Sequence, residues 1–232
     1  MKIKYLGHSC FEFETKEKKI LVDPFLVASP NYDFRNVTDI FVTHGHSDHL
    51  GSAIEISKQT GATITTIFEL ANYCARKGAN VNGIGLGSWI QFDWGKVIAV
   101  PAFHSNSTPD GQYAGNPCGF VFAIDKINVY HAGDTCINSE MQIIKDLYAP
   151  NIAILPIGGH YTMDIKQAVK ASELIDAMNI IPMHYNTFDA IRVNIEDFER
   201  QIKNIGKIFS IDFFPKAFII KLSKVKQQGE IL

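Results

Sequence analysis

Short runs of Ile, Val, Leu and Phe recur along the chain, each bounded by a turn signal or by a stretch with helical spacing. KIKYL (2–6) and CFEFE (10–14) alternate apolar and polar positions, and KKILVD (18–23) closes an apolar triplet with Asp23. Three successive N-terminal strands are therefore predicted. Elsewhere the apolar spacing widens to three and four. Ser52 to Gln59 predicts a short helix closed by Gly61, and Phe68 to Lys77 a second with Gly78 at its end. Ser139 with Gln142, and Asp164 with Gln167, have the spacing of a capping box, in which two side chains satisfy backbone N–H groups reciprocally. Behind the second pair, Ile165, Ala168, Val169, Ser172 and Ile175 form a mostly apolar stripe. Asn194 is the predicted cap of a last helix ending near Gly206. Apolar strands alternating with helices imply an α/β fold.

One arrangement repeats. An apolar strand ends and a side chain able to bind a metal follows: His44 after IFVT, His104 after VIAVPAF, Asp134 in INVYHAGD, His160 after IAILPIGG and His184 after IIPM. In layered α/β folds, sites form beyond strand ends, where loops converge on a rigid frame. These donors are expected to meet at one sheet edge.

The 232 residues are 46% hydrophobic with a formal charge of -2, enough for one large domain or two fused halves. The near-neutral balance, with a pI near 6.4, offers no electrostatic footprint for nucleic acid or an anionic membrane. The longest apolar runs, KVIAVPAF and PNIAILPI, are too short to span a bilayer. MKIKYLGHSCFEFE lacks the pattern of a signal peptide, so a cytoplasmic location is expected. Cys10, Cys74, Cys118 and Cys136 form no C-x-x-C pair, which favours reduced thiols.

The densest chemistry lies in IFVTHGHSDHLG (40–51). Alternate residues of an extended segment point the same way, so His44 and His46 can reach one ion. Asp48 and His49 follow where the chain turns toward a helix, and would reach in another direction. Four donors in six positions exceed what one open site uses, since a single zinc takes about four ligands and leaves one position open for catalysis.

H44-G-H46-S-D48-H49, followed in order by His104, Asp134 and His184 and preceded by Asp23 in LVDPF, resembles the signature of the metallo-β-lactamase superfamily. LGHSCF, PAFHS, YHAGDT, PIGGHYTMD and PMHYNTF together resemble its UPF0173-type group of metal-dependent hydrolases. The likeness runs from about residue 3 to about residue 222. It implies an αββα four-layer sandwich forming one domain over 1–232, with two similar halves meeting near residue 118. It implies two divalent ions, zinc or manganese first, with nickel and iron also compatible because no cysteine falls at a ligand position. One ion would use His44, His46 and His104, the other Asp48, His49 and His184, with Asp134 bridging. Asp23 would orient a ligand histidine.

Asp48, His160 and His8 are the candidate catalytic residues. His8 would touch substrate or act as a general acid, with a buried structural histidine as an equal alternative. His160 follows two glycines that would let backbone approach a substrate, and would bind its polar group or protonate the leaving group. His131 is read as packing or as a support behind a ligand, Gly133 as the bend that turns Asp134 inward, and Cys136 receives no role. Tyr161 and Tyr185 would edge the pocket unless they pack in the core. The loop SNSTPDGQYAGNPCG would be either a lid or an ordinary exposed loop.

The expected reaction is metal-assisted hydrolysis of a small ester, lactone or phosphodiester, with a hydroxide shared by two ions as nucleophile. Two alternatives are kept. One is an RNA nuclease, disfavoured by the charge balance and by the lack of length for an added domain. The other is a metal-holding binding protein without turnover. The partner expected is a small-molecule substrate, not nucleic acid or membrane, and homo-oligomer formation is left open.

Overall fold

Alternation in β1 (Lys2–Gly7) turns one face of that strand to the core, whereas the two strands that follow it are buried on nearly every residue. A computed structural model describes residues 1–209 and 220–221 of the chain. β1 (Lys2–Gly7), β2 (Cys10–Glu14) and β3 (Lys19–Val22) form an antiparallel meander. β4 (Asp39–Phe41), α1 (Ser47–Leu50), α2 (Ala53–Thr60), β5 (Thr63–Ile67), α3 (Phe68–Arg76) and β6 (Asn80–Ile84) follow, the strands pairing in parallel. The second sheet repeats this plan. β7 (Trp89–Phe92), β8 (Gly95–Pro101), β9 (Cys118–Ile124) and β10 (Ile127–His131) are antiparallel. Then α4 (Glu140–Tyr148), β11 (Ile152–Pro156), α5 (Ile165–Ile175), β12 (Asn179–Met183), α6 (Ile195–Asn204) and β13 (Ile208–Phe209) extend it in parallel. β14 (Ile220–Lys221) returns antiparallel to β1.

The sheets pack face to face. Phe13 meets Phe122 at 4.9 Å between ring centroids and 87°, and Phe41 meets Phe120 at 5.3 Å, the edge-to-face geometry aromatic quadrupoles favour. Outside the first sheet, Leu21, Ile40 and Ile64 bury against Ala53, Ile56 and Leu70 of α2 and α3. Outside the second lie Met141 and Ile144 of α4, Ala168 and Ala171 of α5, and Phe198 and Ile202 of α6. The result is the αββα four-layer sandwich expected. His131 points between the sheets, its ring edge on Phe11 and its Nε2–H donating to the Ser9 carbonyl at 3.1 Å. No helix among the described residues is long and apolar enough to cross a membrane.

Local signals locate most helices. Gly61 closes α2 with φ of 80°, and Asp164 and Gln167 make both bonds of the capping box at α5. Asn194 accepts from the Glu196 N–H at the start of α6. Two expectations are corrected. Ser139 precedes α4 but makes no side-chain cap, because its backbone is already helical (φ -70°, ψ -24°), whereas a cap requires an extended residue. The halves meet not near residue 118, which begins β9 inside the second sheet, but between Ile84 and Trp89, where the chain crosses from one sheet to the other.

Candidate metal centre

Strand ends from both sheets deliver side chains to one edge of the sandwich. On the first sheet, Asp23 follows β3 in a left-handed conformation (φ 46°) and is fully buried. Its Oδ1 accepts the Thr43 backbone N–H at 2.8 Å. Its Oδ2 accepts the Thr43 hydroxyl at 2.8 Å and the Nδ1–H of His49 at 2.8 Å. This fixes the His49 tautomer and turns Nε2 toward the opposite sheet. The one-turn α1 carries Asp48 and His49. It is held by glycines on both sides: a Cβ on Gly45 would lie 2.9 Å from the Ser107 carbonyl, and one on Gly51 (φ 44°) 2.4 Å from that of Pro24.

The second sheet contributes His104 after β8, Asp134 after β10 and His184 after β12. Gly133 adopts φ of 62°, and an added Cβ would sit 2.6 Å from the Cys118 carbonyl, so the bend before Asp134 needs glycine. Asp134 reaches both sides of the site. Its Oδ1 lies 3.2 Å from Nε2 of His49; its Oδ2 lies 3.1 Å from Nε2 of His184 and 3.6 Å from that of His104.

The donors fall into three overlapping groups, within each of which the ligand atoms lie inside 4.8 Å of one another. These are His44, His46 and His104; His44, His49 and Asp134; and His8, Asp48, His49 and His184. All seven residues expected as ligands are gathered, joined by His8. His8 is almost fully buried, with Nε2 3.1 Å from Asp48 Oδ2, Nδ1 3.0 Å from the Thr187 hydroxyl, and its ring 4.2 Å from that of His184.

Burial and the charge on His49 hold His44 well below the usual imidazole range, and burial also lowers His46, His104 and His8. These rings are neutral at pH 7, and each of His44, His46 and His104 keeps a lone pair that can be offered to a cation. Burial opposes a charge on His184, but Asp134 and Asp48 outweigh it and raise this ring to about 9; His49 is raised in the same way by Asp134 and Asp23. Burial likewise works against the Asp48 carboxylate, yet His184 and His8 hold it well below the usual range. Without a cation, protons thus bridge histidine and carboxylate, and a divalent ion would displace them.

The residues present fit such ions. His49 Nε2 and Asp134 Oδ1 are buried and face each other at 3.2 Å, but not in the alignment of a good hydrogen bond. A cation between them would satisfy both. Neutral imidazoles with carboxylates, and no thiolate, suit zinc, manganese, iron or nickel.

His160 is not gathered. It is exposed on the loop after β11, its ring against Tyr161, and it contacts none of the donors. The first of the two glycines before it has a packing role: a Cβ on Gly158 would lie 2.3 Å from the His184 carbonyl. Close approach is to protein backbone, and His160 is carried to the rim. Tyr161 is exposed, whereas Tyr185 is half-buried and stacks on Tyr5. Cys136 is exposed and unpaired. The loop after His104 is an anchored strap: the Asn106 side chain accepts the Gly45 N–H at 2.7 Å and donates to the Ala114 carbonyl at 2.8 Å. Thr43, Asn106 and Thr187 escape sequence reasoning. Their only sequence signal is closeness to His44, His104 and His184, which says nothing of where their hydroxyl or amide groups point.

Comparison with known proteins agrees with this geometry. A model of the beta-lactamase superfamily domain matches residues 2–184. A UPF0173 metal-dependent hydrolase of Pyrococcus horikoshii is 43% identical over 216 residues, covering 90% of this chain and 95% of that protein. One from Methanosarcina mazei is 44% identical over 210 residues, covering 88% and 91%. The solved structure of a metallo hydrolase from Ignicoccus hospitalis superposes with a TM-score of 0.85 at 34% identity, over 96% of this chain and 99% of that one. With donors from both sheets meeting at the edge of an αββα sandwich, the chain belongs to the beta-lactamase superfamily and, within it, to the UPF0173 family.

Proposed function

We propose that this protein is a metal-dependent hydrolase that uses two divalent cations, zinc or manganese first, to cleave a small ester or lactone. The observation that carries this reading is Asp134, whose two oxygens face His49 on one side and His184 and His104 on the other. One ion would be held by His44, His46 and His104, the other by Asp48, His49 and His184, with Asp134 shared. When bound, such ions supply a water ionised near neutral pH and polarise the scissile bond. The chain's own residues do the rest. Asp23 and Thr43 keep His49 in the tautomer that offers Nε2, burial keeps His44 neutral, and the packed sheets exclude bulk water beneath the donors.

RNA calls for cationic side chains at the mouth. Among the described residues, Asp48 and Asp134 pair only with histidines. The apolar Phe103, next to His104, and Phe188, 5.4 Å from His8, are exposed beside them. This favours a small, partly apolar substrate over a nuclease reading. The test is a substrate screen on protein loaded separately with zinc and manganese, with bound metal counted. Wild type is expected to bind two ions and hydrolyse an ester or lactone, and Asp134→Ala to lose both properties. Two tightly bound ions without turnover on any substrate would instead support a metal-holding binding protein.

A further inference from the structure

His8 contacts the metal centre without facing solvent, which sets it apart from a group that meets substrate. Its backbone is left-handed (φ 54°), a conformation an L-residue adopts only when its surroundings impose it. Three contacts impose it here. The His8 carbonyl accepts the His184 N–H at 2.8 Å and the Tyr5 hydroxyl at 3.0 Å, and the ring is wedged between His184 and Phe25, at 4.2 and 5.5 Å. A carboxylate only accepts hydrogen bonds, so Nε2 must carry the proton that binds Asp48 Oδ2 at 3.1 Å. Nδ1 of the neutral ring then accepts from the Thr187 hydroxyl at 3.0 Å, shorter than that hydroxyl's other contact, 3.4 Å to the Tyr185 carbonyl.

We infer that His8 is a positioning residue: Thr187 fixes its tautomer, and its Nε2–H fixes the carboxylate of Asp48 for the second cation. The chain Thr187–His8–Asp48 mirrors Thr43–Asp23–His49 on the other flank. Each orients one donor of the same group through a buried partner from a different element. His8 comes from the turn after β1 and Thr187 from the loop after β12, so the device closes only when the two sheets are docked. It replaces the roles of substrate contact and general acid, for which one ring nitrogen would have to be free and face the pocket, whereas both are engaged and the ring is buried. The inference rests on the dinuclear reading above, because it concerns the ion that Asp48 would hold.

The test is stepwise zinc affinity, measured by competition with a chromophoric chelator, for wild type, His8→Ala, His8→Gln, Thr187→Val and Thr187→Ser. Removing a partner that orients a ligand typically costs about 10–100-fold in metal affinity. That loss is expected in His8→Ala for one ion only, with the other ion held as in wild type. Gln places an N–H near the position of Nε2, so His8→Gln should return to within a few-fold of wild type. Thr187→Val should lose several-fold and Thr187→Ser little. Equal losses in His8→Ala and His8→Gln would make His8 a ligand or proton donor and overturn the inference, as would wild-type affinity in His8→Ala. If His8→Ala does not fold, the Thr187 pair decides: wild-type affinity in Thr187→Val refutes the relay. A wild type that binds one ion would sink the dinuclear reading, whereas positioning is read from the variant-to-wild-type ratio of whichever ion Asp48 holds.

Discussion

Replacing Asp23 by Asn keeps the shape of a fully buried side chain but exchanges one acceptor for a donor. Three donors converge on the carboxylate: the Thr43 N–H on Oδ1, and the Thr43 hydroxyl and His49 Nδ1–H on Oδ2. The amide can be turned two ways, and each leaves a donor facing a donor. With its oxygen toward His49, its NH2 opposes the Thr43 N–H, and a buried unpaired donor costs about 1–3 kcal/mol of folding free energy. For a chain of this size that is a fall in Tm of ~2–4 °C per kcal/mol. With its oxygen toward the Thr43 N–H, the NH2 faces His49, whose Nδ1 must become the acceptor. The proton then moves to Nε2 and covers the lone pair aimed at Asp134, the wrong-tautomer defect that an Asp-to-Asn change produces in hydrolytic triads. Restoring the metal-binding tautomer costs the same ~1–3 kcal/mol, or about 5- to 150-fold in metal affinity. The loss therefore appears in stability or in metal binding, and its sum is set by one mispaired donor. Thermal unfolding of metal-free protein and a chelator competition measure the two parts, and nitrogen-detected NMR of His49 reports the tautomer. An Asp23→Asn protein with wild-type Tm, wild-type affinity and an Nδ1-protonated His49 would refute the reasoning.

Two further outcomes follow from the same physics. Burial opposes a charge on His184, but Asp134 and Asp48 raise its folded pKa from the ordinary histidine value of 6.5 to about 9. A group raised on folding stabilises fully below its unfolded pKa and loses that contribution as pH rises through the folded one. Chelator-treated protein should therefore lose up to about 3 kcal/mol between pH 6.5 and 9, while protein holding a cation in the proton's place should not. A metal-free Tm flat over that window would count against protons bridging this site. Phe41→Ala empties a fully buried site among Phe120, Phe122 and Trp94, and should cost about 3–5 kcal/mol in denaturant unfolding without a change in metal stoichiometry. A loss under about 1 kcal/mol would mean that the two sheets do not pack through these rings.

The legible features were those with local causes. Gly61 and the pair Asp164 and Gln167 mark helix ends because a left-handed residue or a reciprocal cap depends on a few neighbours. Ser139 shows the limit: the right residue types at the right spacing make no cap when the backbone is helical one residue early. The four-residue α1 gave no periodic signal, since its turn is set by Gly45 and Gly51 abutting carbonyls of Ser107 and Pro24. The crossing between Ile84 and Trp89 lies in GLGS, an ordinary turn composition that does not say the next strand joins another sheet. His160 shared the strand-end pattern of the residues that gather, but Gly158 packs on the His184 carbonyl and His160 lies exposed at the rim.

By itself the sequence determined the supply of donors and their placement at strand ends, because alternation and capping are short-range properties of the chain. Only the tertiary structure decided which donors meet. Asp134 reaches His49 and His184, and His8 reaches both Asp48 and Thr187, across separations of 40 and 179 residues. Those meetings depend on strand register and on how two sheets dock through Phe13, Phe41, Phe120 and Phe122, and no local period encodes either.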